Sequence, residues 1–559
     1  MMNWRCFARI ASLRNFNSAF QPYMELHSDV RSLQKFLPFA AAKFKEKTAV
    51  IDSNRSYTYL ELLHLSFTVK DLLGKDGGDG QRIAFLTPHD ASYIVCQWAS
   101  WLNKAIAVPL HSKHPLTELE YVLSNCQANT ILPVDPHQEM ADQLARKLNI
   151  NHVPLPKELL LHPKPPLGIS VDDTDDEEVA KNPAMIVYTS GTTGPPKGVV
   201  HNHSALHAQT SCMTEAWKWS DEDVALHVLP LHHVHGIINM LLCPLSVGAT
   251  VVMEPQFNPK EIWDYFLHNK DAAINVFMAI PTIYAKLIEY FESNKMCEEE
   301  AKSKCQDIRL MVSGSASLPT PILERWRNIT GHTLLERYGM TEFGMGLTNS
   351  YDGRRVPGAV GLPFPGISAK ILRTDEHGRI DANKCIVRFD GGQVVDKMPG
   401  QEGVDGELLI KSPSMFQGYW GNKGATEESF LDDWFVTGDT ASFADDVFRI
   451  SGRSSVDIIK SGGYKISALD IERLLLHHPS ISEVAVVGIP DEIWGQKIAA
   501  ILKLKAGLEV SEKDLQNWCR GRMANYKIPR EMLFVENIPR NAMGKINKKQ
   551  LIIKYFSDK

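Results

Sequence analysis

The most constraining feature of the chain is the loop YTSGTTGPPKG at residues 188–198, which follows the apolar run AMIVY. The apolar run predicts a buried strand, and the glycines allow a close approach of the backbone to a ligand. Hydroxyl groups and a lysine supply donors for anionic oxygens. The segment therefore predicts a phosphate-binding loop, with candidate donors and glycines at Tyr188, Thr189, Ser190, Gly191, Thr192, Thr193, Gly194, Lys197 and Gly198.

This loop differs from the common phosphate loop of nucleotide-hydrolysing proteins. A Walker loop places four residues between its first glycine and the Gly-Lys pair, and Ser or Thr follows the lysine. Here two prolines precede Lys197 and Gly198 follows it. This spacing therefore argues against a P-loop kinase or GTPase.

Length and charge limit the remaining classes. With 559 residues the chain is too long for one core, so we expect two or more domains. The net charge of -6 and the lack of a basic stripe argue against a nucleic-acid partner. The longest apolar stretch, residues 237–253, is interrupted by polar residues and falls short of the ~20 residues of a spanning helix. We expect it to be buried core, with no transmembrane segment. The nine scattered cysteines form no CxxC pair, which fits a reducing compartment.

The N-terminal segment has a different composition. Residues 1–27 carry three arginines, two serines and a single acid, Glu25. Arg5 and Arg9 share one helical face, with apolar residues available for another, as in an amphipathic mitochondrial presequence. We expect a transit peptide over residues 1–27, and a frayed basic tail is the alternative.

The organisation of the chain favours α/β layers. Short apolar runs such as RIAFL, ANTILPV and AMIVY alternate with helix-like segments such as SYIVCQWASWL. From about Val404 the pattern becomes rich in strands and turns, and the last hundred residues predict a compact αββαβ-like unit. We expect a domain boundary near Ser451 to Ser455.

Five later motifs have residue types that suit a nucleotide. SGSAS at 313–317 follows the strand-like run IRLMV, and ERYGMTE occupies 336–342. WFVTGD ends at Asp439 and FRISGR at Arg453, while PRNAMGKI contains Lys545. A tyrosine offers a flat face for a base, a carboxylate accepts from vicinal ribose hydroxyls, and a glutamate is a hard ligand for Mg²⁺.

In this order the motifs resemble the acyl-adenylate-forming (AMP-binding) superfamily. The resemblance implies attack of a carboxylate on the α-phosphate of MgATP, giving an acyl-adenylate and pyrophosphate, and transfer of the acyl group to a thiol. It implies a catalytic role for Lys545, Thr341 and Glu342, a Mg²⁺ ligand at Glu342, and a contact with coenzyme A at Gly462 and Gly463. The ATP-binding residues that it implies are Thr189, Ser190, Gly191, Thr192, Thr193, Gly194, Lys197, Gly314, Ser315, Tyr338, Gly339, Met340, Asp439, Arg453 and Lys545.

The resemblance also implies the fold: a large multi-layer α/β N-terminal adenylate-forming domain and a small mobile α+β C-terminal domain. We place the large domain at residues 28–450, a hinge at 451–455 and the small domain at 456–559. Lys545 and Gly462 fall on the small domain yet serve successive half-reactions, so the small domain must rotate. Ser455 stands where superfamily members usually have Asp or Lys, which leaves the hinge residue open.

Arg337 departs from the superfamily pattern, which usually has a small residue before the tyrosine of this motif. A buried arginine is costly unless an anion meets it. A dicarboxylic substrate supplies such an anion, because one carboxylate reacts and the other pairs with the guanidinium. The alternative is that Arg337 turns outward or pairs with Glu336.

Histidines precede this motif in LPLHHVHG, residues 229–236. In an extended segment His233 and His235 share a face and His232 points away, which argues against a metal site built from these three residues. His233 matches the histidine that borders the acyl site in the superfamily. His235 is either a second donor to the distal carboxylate or a structural histidine.

Taken together, the phrases HVLPLHHVHG, RLMVSGSA and ERYGMTE resemble malonyl-CoA synthetases. That resemblance implies malonate, ATP and coenzyme A as substrates, and methylmalonate, with one more methyl, remains open. A medium-chain acyl-CoA synthetase is the alternative enzyme. A scaffold that binds nucleotide without turnover is disfavoured by Lys545, Glu342 and Asp439, and a peptide-synthetase adenylation domain is disfavoured because no carrier domain follows Lys559.

Overall fold

The structure is a computed structural model, and it describes residues 43–74, 78, 80–161, 177–189, 195–375, 378–462, 464–520, 522–540 and 545–556. The expected transit peptide, the loop residues Ser190 to Gly194, and Gly463 lie outside the described residues. In the part of the chain that is described, no helix is long and apolar enough to cross a membrane.

The strands fall into four sheets. In chain order they are β1 Thr48–Ile51, β2 Ser56–Thr58, β3 Arg82–Leu86, β4 Ile106–Pro109, β5 Thr130–Pro133, β6 Asn151–His152, β7 Pro183–Thr189, β8 Lys197–Asn202, β9 Val224–His227, β10 Thr250–Met253, β11 Val276–Ala279, β12 Leu310–Ser313, β13 Leu335–Met340, β14 Gly344–Thr348, β15 Leu362–Pro363, β16 Ser368–Thr374, β17 Ile380–Asp390, β18 Gln393–Lys397, β19 Gly406–Lys411, β20 Gly418–Tyr419, β21 Phe430–Leu431, β22 Trp434–Ala444, β23 Val447–Arg453, β24 Ile458–Ser461, β25 Tyr464–Ser467, β26 Ile481–Asp491, β27 Gly495–Leu504 and β28 Glu531–Phe534.

Helices separate many of these strands. They are α1 Tyr59–Leu73, α2 Ser92–Leu102, α3 Leu116–Asn125, α4 Gln138–Leu148, α5 Lys157–Leu161, α6 Glu177–Lys181, α7 His203–Ala216, a π-helix His235–Leu242, α8 Cys243–Val247, α9 Pro259–His268, α10 Pro281–Ser293, α11 Glu298–Cys305, α12 Thr320–Thr330, α13 Lys423–Glu428, α14 Ala468–Leu475, α15 Glu512–Cys519, a 3-10 turn Asn525–Lys527 and α16 Lys548–Phe556.

Two large sheets carry the α/β layers that the alternating pattern predicts. One has nine strands in the order β15-β14-β13-β12-β11-β9-β10-β1-β2, and the other has seven in the order β20-β8-β7-β4-β3-β5-β6. The central strands pair in parallel and consist of short apolar runs that are fully buried, as expected for strands covered by helices on both faces. These sheets confirm the predicted α/β class of the large N-terminal part.

Helix α1 shows how the sequence sets element boundaries. The Thr58 hydroxyl accepts from the Glu61 N–H at 3.1 Å, and the Glu61 carboxylate accepts from the Thr58 N–H at 2.8 Å, which forms a capping box. Gly74 ends the helix with φ +54°. Local sequence therefore fixes both ends of α1.

The β-rich region starts earlier than the pattern predicts. A third sheet has the order β18-β17-β16-β19-β22-β21, with β23 on β22, and begins at Ser368 rather than near Val404. Strand β18 is exposed along its whole length, and β17 is exposed over Ala382 to Lys384 and at Arg388, so neither strand alternates buried apolar and exposed polar residues along its length. The prediction from hydrophobic pattern missed them for that reason.

The C-terminal unit contains the predicted helices and strands. A five-stranded sheet has the order β25-β24-β27-β26 with β28 on β27, and α14 and α15 pack with it through Ile471, Leu475 and Leu515. The hairpin β24–β25 and the helix α16 were not predicted. This α+β unit and the larger α/β part confirm the predicted two-part architecture.

The histidine segment differs from the expected extended conformation. Residues 231–233 form a turn that leads into the π-helix, and the Ile237 N–H donates to the His233 carbonyl at 2.9 Å. The chain folds back so closely here that a Cβ at Gly236 would lie 2.3 Å from the Pro230 carbonyl oxygen. The stretch 237–253 is mostly buried, as predicted.

Candidate active site

Parallel strands of the nine-stranded sheet end together at the candidate site. Strands β9, β11, β12 and β13 are parallel neighbours, and ligands of α/β sheets bind outside such carboxyl ends. Ser315 follows β12, Arg337 lies in β13, and His233 and His235 follow β9. The fold therefore brings together residues that are more than a hundred positions apart in the sequence.

Arg337 is buried and has no carboxylate within ion-pair distance among the described residues. Its residue surface is 4% exposed, and burial lowers the pKa of the guanidinium to about 9. Nη2 donates to the Ser315 hydroxyl at 3.4 Å, while Nε has no described partner. Gly314 makes room for the guanidinium, because a Cβ there would lie 2.5 Å from its Cζ. The site therefore holds a buried positive charge that a bound anion would neutralise.

His235 completes this cluster. Its Nδ1 lies 3.0 Å from the Ser315 hydroxyl, and its Nε2 has no described partner. Burial, followed by repulsion from Arg337, lowers the pKa of His235 well below its usual range, so the ring is neutral at pH 7. We call Arg337, Ser315 and His235 the Arg337 cluster. Its hydrogen-bond donors suit one carboxylate.

The alternative positions of Arg337 are wrong. Neighbouring residues of a strand face opposite sides, and Glu336 accepts from the Gly358 N–H at 3.0 Å instead of pairing with Arg337. Arg337 does not turn outward either, since it is almost fully buried. The strand geometry separates the two charges.

Glu336 gives a prediction for stability. Burial raises the pKa of Glu336 to about 7, although the Gly358 hydrogen bond opposes the shift. A carboxyl whose folded pKa is raised stabilises the fold fully below its unfolded pKa of about 4.3, and this contribution is lost as pH rises through about 7. Between pH 5 and 8 the free energy of unfolding of the wild type should therefore fall by up to about 3 kcal/mol more than that of Glu336→Gln. Urea unfolding of both proteins at these two pH values measures the difference, and equal pH dependence would contradict the assignment.

Tyr338, Asp439 and Arg453 form a connected group beside the cluster. The Tyr338 hydroxyl donates to Asp439 Oδ2 at 2.6 Å, and Arg453 Nε donates to Oδ1 at 2.8 Å. The pairing of β22 with β23 sets Asp439 directly opposite Arg453. The arginine also reaches the Met340 sulfur at 3.6 Å. These residues place an aromatic face and a carboxylate together, as a nucleoside requires.

Glu342 lies in a buried pocket of polar groups. Its Oε1 accepts from the Tyr419 hydroxyl at 2.8 Å, and the Lys197 ammonium lies 4.4 Å from the centre of the Tyr419 ring. Burial raises the pKa of Glu342, and the Tyr419 hydrogen bond opposes the shift. A buried carboxylate of this kind is a suitable ligand for a hard divalent cation such as Mg²⁺, whose charge would offset the loss of water.

Lys545 approaches the same region from the C-terminal unit. The residue as a whole is exposed, but its ammonium group has lost most of its surrounding water. This desolvation, followed by repulsion from Arg337 and Arg453, lowers the pKa of Lys545, while attraction by Asp439 and Glu342 opposes the shift. Arg540 also connects the two parts, since Nη1 donates to the Thr282 hydroxyl at 3.3 Å and Nη2 to Glu483 at 2.7 Å. The structure thus places Lys545 within electrostatic reach of the site residues of the large part.

Several predicted residues occupy turns around this centre. Thr189 is the last residue of β7 and is paired with Lys197 across the loop. Gly339 packs against strand β14, where a Cβ would lie 2.1 Å from the Gly344 carbonyl oxygen, and Thr341 lies in the following turn. Gly462 lies in the β24–β25 turn with φ +57° and packs against Trp494. The roles of these residues, like those of the other site residues, stay predictions.

Sequence reasoning missed three features of the site. Ser315 was assigned to ATP, whereas its described contacts are with Arg337 and His235. Tyr419 was not singled out, and only its place in the aromatic run FQGYW after β19 marks it in the sequence. A further histidine cluster beside His233 was also missed.

Comparison with known proteins gives consistent matches. The family model "AMP-binding enzyme" matches residues 37–420, and "AMP-binding enzyme C-terminal domain" matches residues 470–545. The chain is 46% identical to the mitochondrial malonate-CoA ligase of Xenopus laevis over 95% of this chain and 94% of that protein. It is 46% identical to the human mitochondrial malonate-CoA ligase over 92% and 90% of the two chains. The crystal structure of ATP-bound MatB from Rhodopseudomonas palustris matches with a TM-score of 0.80 at 27% identity, covering 93% of this chain and 99% of that one.

Proposed function

The chain belongs to the AMP-binding enzyme family, and on that premise we propose that it ligates malonate to coenzyme A with ATP. The products are malonyl-CoA, AMP and pyrophosphate. The observation that carries the choice of acid is the buried guanidinium of Arg337, which lacks a described carboxylate partner and stands with Ser315 and His235 at the site. Relatives named as malonate-CoA ligases support the same choice.

The reaction divides into two steps. In the first, one carboxylate oxygen of malonate attacks the α-phosphorus, and the bond to the pyrophosphate oxygen breaks. In the second, the thiol of coenzyme A loses its proton, its sulfur attacks the acyl carbon, and AMP leaves. Neither step needs a protein nucleophile, so positioning and charge neutralisation supply the catalysis.

We assign the residues of the site to these needs. Tyr338 and Asp439 hold adenine and ribose, with Arg453 fixing the carboxylate through its 2.8 Å hydrogen bond. We assign Thr189 and Lys197 to the phosphates, together with the predicted loop residues Ser190 to Gly194. Thr341 meets the α-phosphate, and Lys545 donates to the carboxylate and the α-phosphate as negative charge gathers between them.

Glu342 is the residue that we assign to Mg²⁺. The buried carboxylate, oriented by the Tyr419 hydroxyl at 2.8 Å, has the oxygen chemistry that this ion prefers. When bound, the ion neutralises charge on the phosphate oxygens. Lys197, beside Tyr419, adds a second positive charge in the same region.

The Arg337 cluster binds the carboxylate that does not react. The guanidinium supplies charge-assisted hydrogen bonds, and the Ser315 hydroxyl and the neutral His235 ring, which share a hydrogen bond at 3.0 Å, supply one further donor between them. His233, the next candidate contact, lines the acyl side of the site. A monocarboxylate leaves the arginine without an anion, so it is rejected. Methylmalonate differs by one methyl, worth about 1–3 kcal/mol, and we propose it as a weaker second substrate.

Two orientations of the C-terminal unit serve the two steps. Residues 451–455 are the proposed hinge between the large domain, 28–450, and the small domain, 456–559. The present orientation, with Lys545 near Glu342 and Asp439, corresponds to adenylation. Rotation would bring Gly462, which follows β24, to the acyl group, and we assign Gly462 and Gly463 to the path of coenzyme A.

We place the enzyme in the mitochondrial matrix. The animal relatives are named as mitochondrial, and residues 1–27 have the composition of a transit peptide. A fusion of residues 1–27 to a fluorescent protein should enter mitochondria and be protected from added protease after outer-membrane rupture. Cytosolic fluorescence would contradict this location.

The activity test is a panel of acids. Protein lacking residues 1–27 should release pyrophosphate with malonate and ATP, form thioester only with coenzyme A, and use methylmalonate more slowly. Acetate, butyrate and octanoate should be poor substrates. A preference for octanoate would replace the proposal with a medium-chain acyl-CoA synthetase, and AMP binding without turnover of any acid would indicate a scaffold.

Gly314 gives a test of the space that the cluster needs. Gly314→Ala would bring a Cβ to 2.5 Å from Arg337 Cζ and displace the guanidinium, so kcat/KM for malonate should fall by about 10²-fold. Gly424→Ala is the matched control, because a Cβ there meets nothing within 4 Å. Steady-state kinetics of both variants measure the effect, and equal activity of the two would contradict close packing at Gly314.

A further inference from the structure

Three histidines from two separate segments meet beside the candidate active site. His111 and His114 lie in the turn between β4 and α3, and His232 lies in the turn after β9. Their ring centres are 4.1 Å apart for His111 and His232, 5.0 Å for His111 and His114, and 5.1 Å for His114 and His232. One nitrogen from each ring lies within 4.8 Å of the others. The proposed function uses none of these residues.

His232 has the properties of a ligand without its ion. Only 6% of the residue is exposed, and neither ring nitrogen has a hydrogen-bond partner in the described part of the chain. A buried polar atom without a partner costs about 1–3 kcal/mol, so a ring with two such atoms requires an explanation. His111 Nδ1 is also buried without a described partner. The unpartnered nitrogens therefore belong to His111 and His232, whose rings are in contact with each other.

His114 has the outer partner that metal-binding histidines usually have. Its Nδ1 lies 3.3 Å from the Glu118 carboxylate, one turn further along the chain. This contact fixes the ring and leaves Nε2 for an ion, as in carboxylate-histidine-zinc arrangements. Coordination at about 2.1 Å would bring ligand nitrogens to about 3.4 Å from one another, which requires only small side-chain rotations from the present separation.

We propose that His111, His114 and His232 form a binding site for one divalent transition-metal ion of the Zn²⁺ class. Three imidazoles select Zn²⁺, Co²⁺, Ni²⁺ or Cu²⁺ over Mg²⁺ and Ca²⁺, so this site is chemically distinct from the oxygen site at Glu342. Three protein ligands leave a fourth position open to water. The bound ion joins the β4–α3 turn to the turn after β9.

The position of the site connects it to the active site. The His232 and His233 rings are 3.9 Å apart, and the charge of Lys545 acts on His233. An ion on His232 therefore fixes the segment that leads to His233 and His235. It also adds positive charge on the side from which Lys545 approaches.

The test is metal binding by tag-free protein stripped with a chelator and then freed of it. Co²⁺ titration should give one equivalent with the intense visible absorption of a four-coordinate site and no thiolate charge-transfer band. Zn²⁺ should displace the Co²⁺, whereas Mg²⁺ should not. Binding should also raise the melting temperature.

Variants separate this site from general surface binding. His111→Gln, in the half-buried turn, and His232→Gln should lose the stoichiometric Co²⁺ spectrum, and Glu118→Gln should weaken binding by about tenfold. His477→Gln is the matched control, because His477 is exposed and its Nδ1 donates to the Arg473 carbonyl at 2.9 Å. Equal Co²⁺ affinity of the wild type and His111→Gln, or less than one equivalent bound by the folded wild type, would overturn the proposal.

Discussion

Arg337→Met is expected to lower kcat/KM for malonate by about 10² to 10³-fold while leaving the protein at least as stable as the wild type. The loss follows from removal of the charged partner of a buried carboxylate, which costs about 2–5 kcal/mol. Arg337 is buried without a described counter-ion, and burial lowers its pKa to about 9, which shows that its charge is unfavourable in the free enzyme. Replacing this charge by an apolar side chain should therefore not destabilise the fold. Steady-state kinetics and thermal unfolding measure the two effects.

Arg309→Met is the matched control for this variant. Arg309 Nε and Nη2 donate to the two carboxylate oxygens of buried Asp223, each at 2.6 Å. Breaking such a pair costs about 3–5 kcal/mol, so this variant should unfold at a lower temperature while its folded fraction keeps its malonate kinetics. A loss of stability in Arg337→Met that matches its loss of activity would indicate a structural arginine instead.

Lys545→Ala is expected to abolish the adenylation step selectively. The ammonium stands among Arg337, Arg453, Asp439 and Glu342 and is the donor that we place between the two reacting anions. Removal of a donor at a centre of developing charge costs about 10²–10³-fold or more in rate. Malonate-dependent pyrophosphate release should fall by this factor, whereas thioester formation from preformed malonyl-adenylate and coenzyme A should continue.

Two neighbouring lysines provide controls for Lys545→Ala. Lys549→Ala changes a lysine four residues further along, in α16, and should leave both steps unchanged. Lys548→Ala removes the buried partner of Asp457 and Glu472, at 2.6 and 2.7 Å, and should lower the stability of the C-terminal unit. An equal loss of both half-reactions in Lys545→Ala would contradict the assignment.

The sequence predicts the fold class because buried parallel strands leave clear apolar runs. Residues 276–279 and 310–313 are examples that the structure confirms as strands. The exposed strands β17 and β18 leave no such run and were missed. The turn at 231–233 was also missed. The spacing of the histidines fits an extended strand as well as a tight turn, and the tight turn depends on Gly236.

The candidate site is predictable only in part. Arg337 draws attention in the sequence because the superfamily usually has a small residue at this position, and the structure shows that it is buried. Its contact with Ser315 was not predicted, since Ser315 follows β12 and Arg337 lies in the neighbouring strand β13, and no local pattern reveals the register of these strands. The same holds for His111 and His232, which are 121 positions apart and meet only through the packing of two sheets.

The central claim is that Arg337 recognises the second carboxylate, and the most direct measurement compares malonate with monomethyl malonate. The ester keeps the reacting carboxylate and neutralises the other. For the wild type, kcat/KM should favour malonate by about 10²-fold or more, and in Arg337→Met this ratio should fall to near one. Equal use of both acids by the wild type, or a ratio unchanged in the variant, would contradict the account.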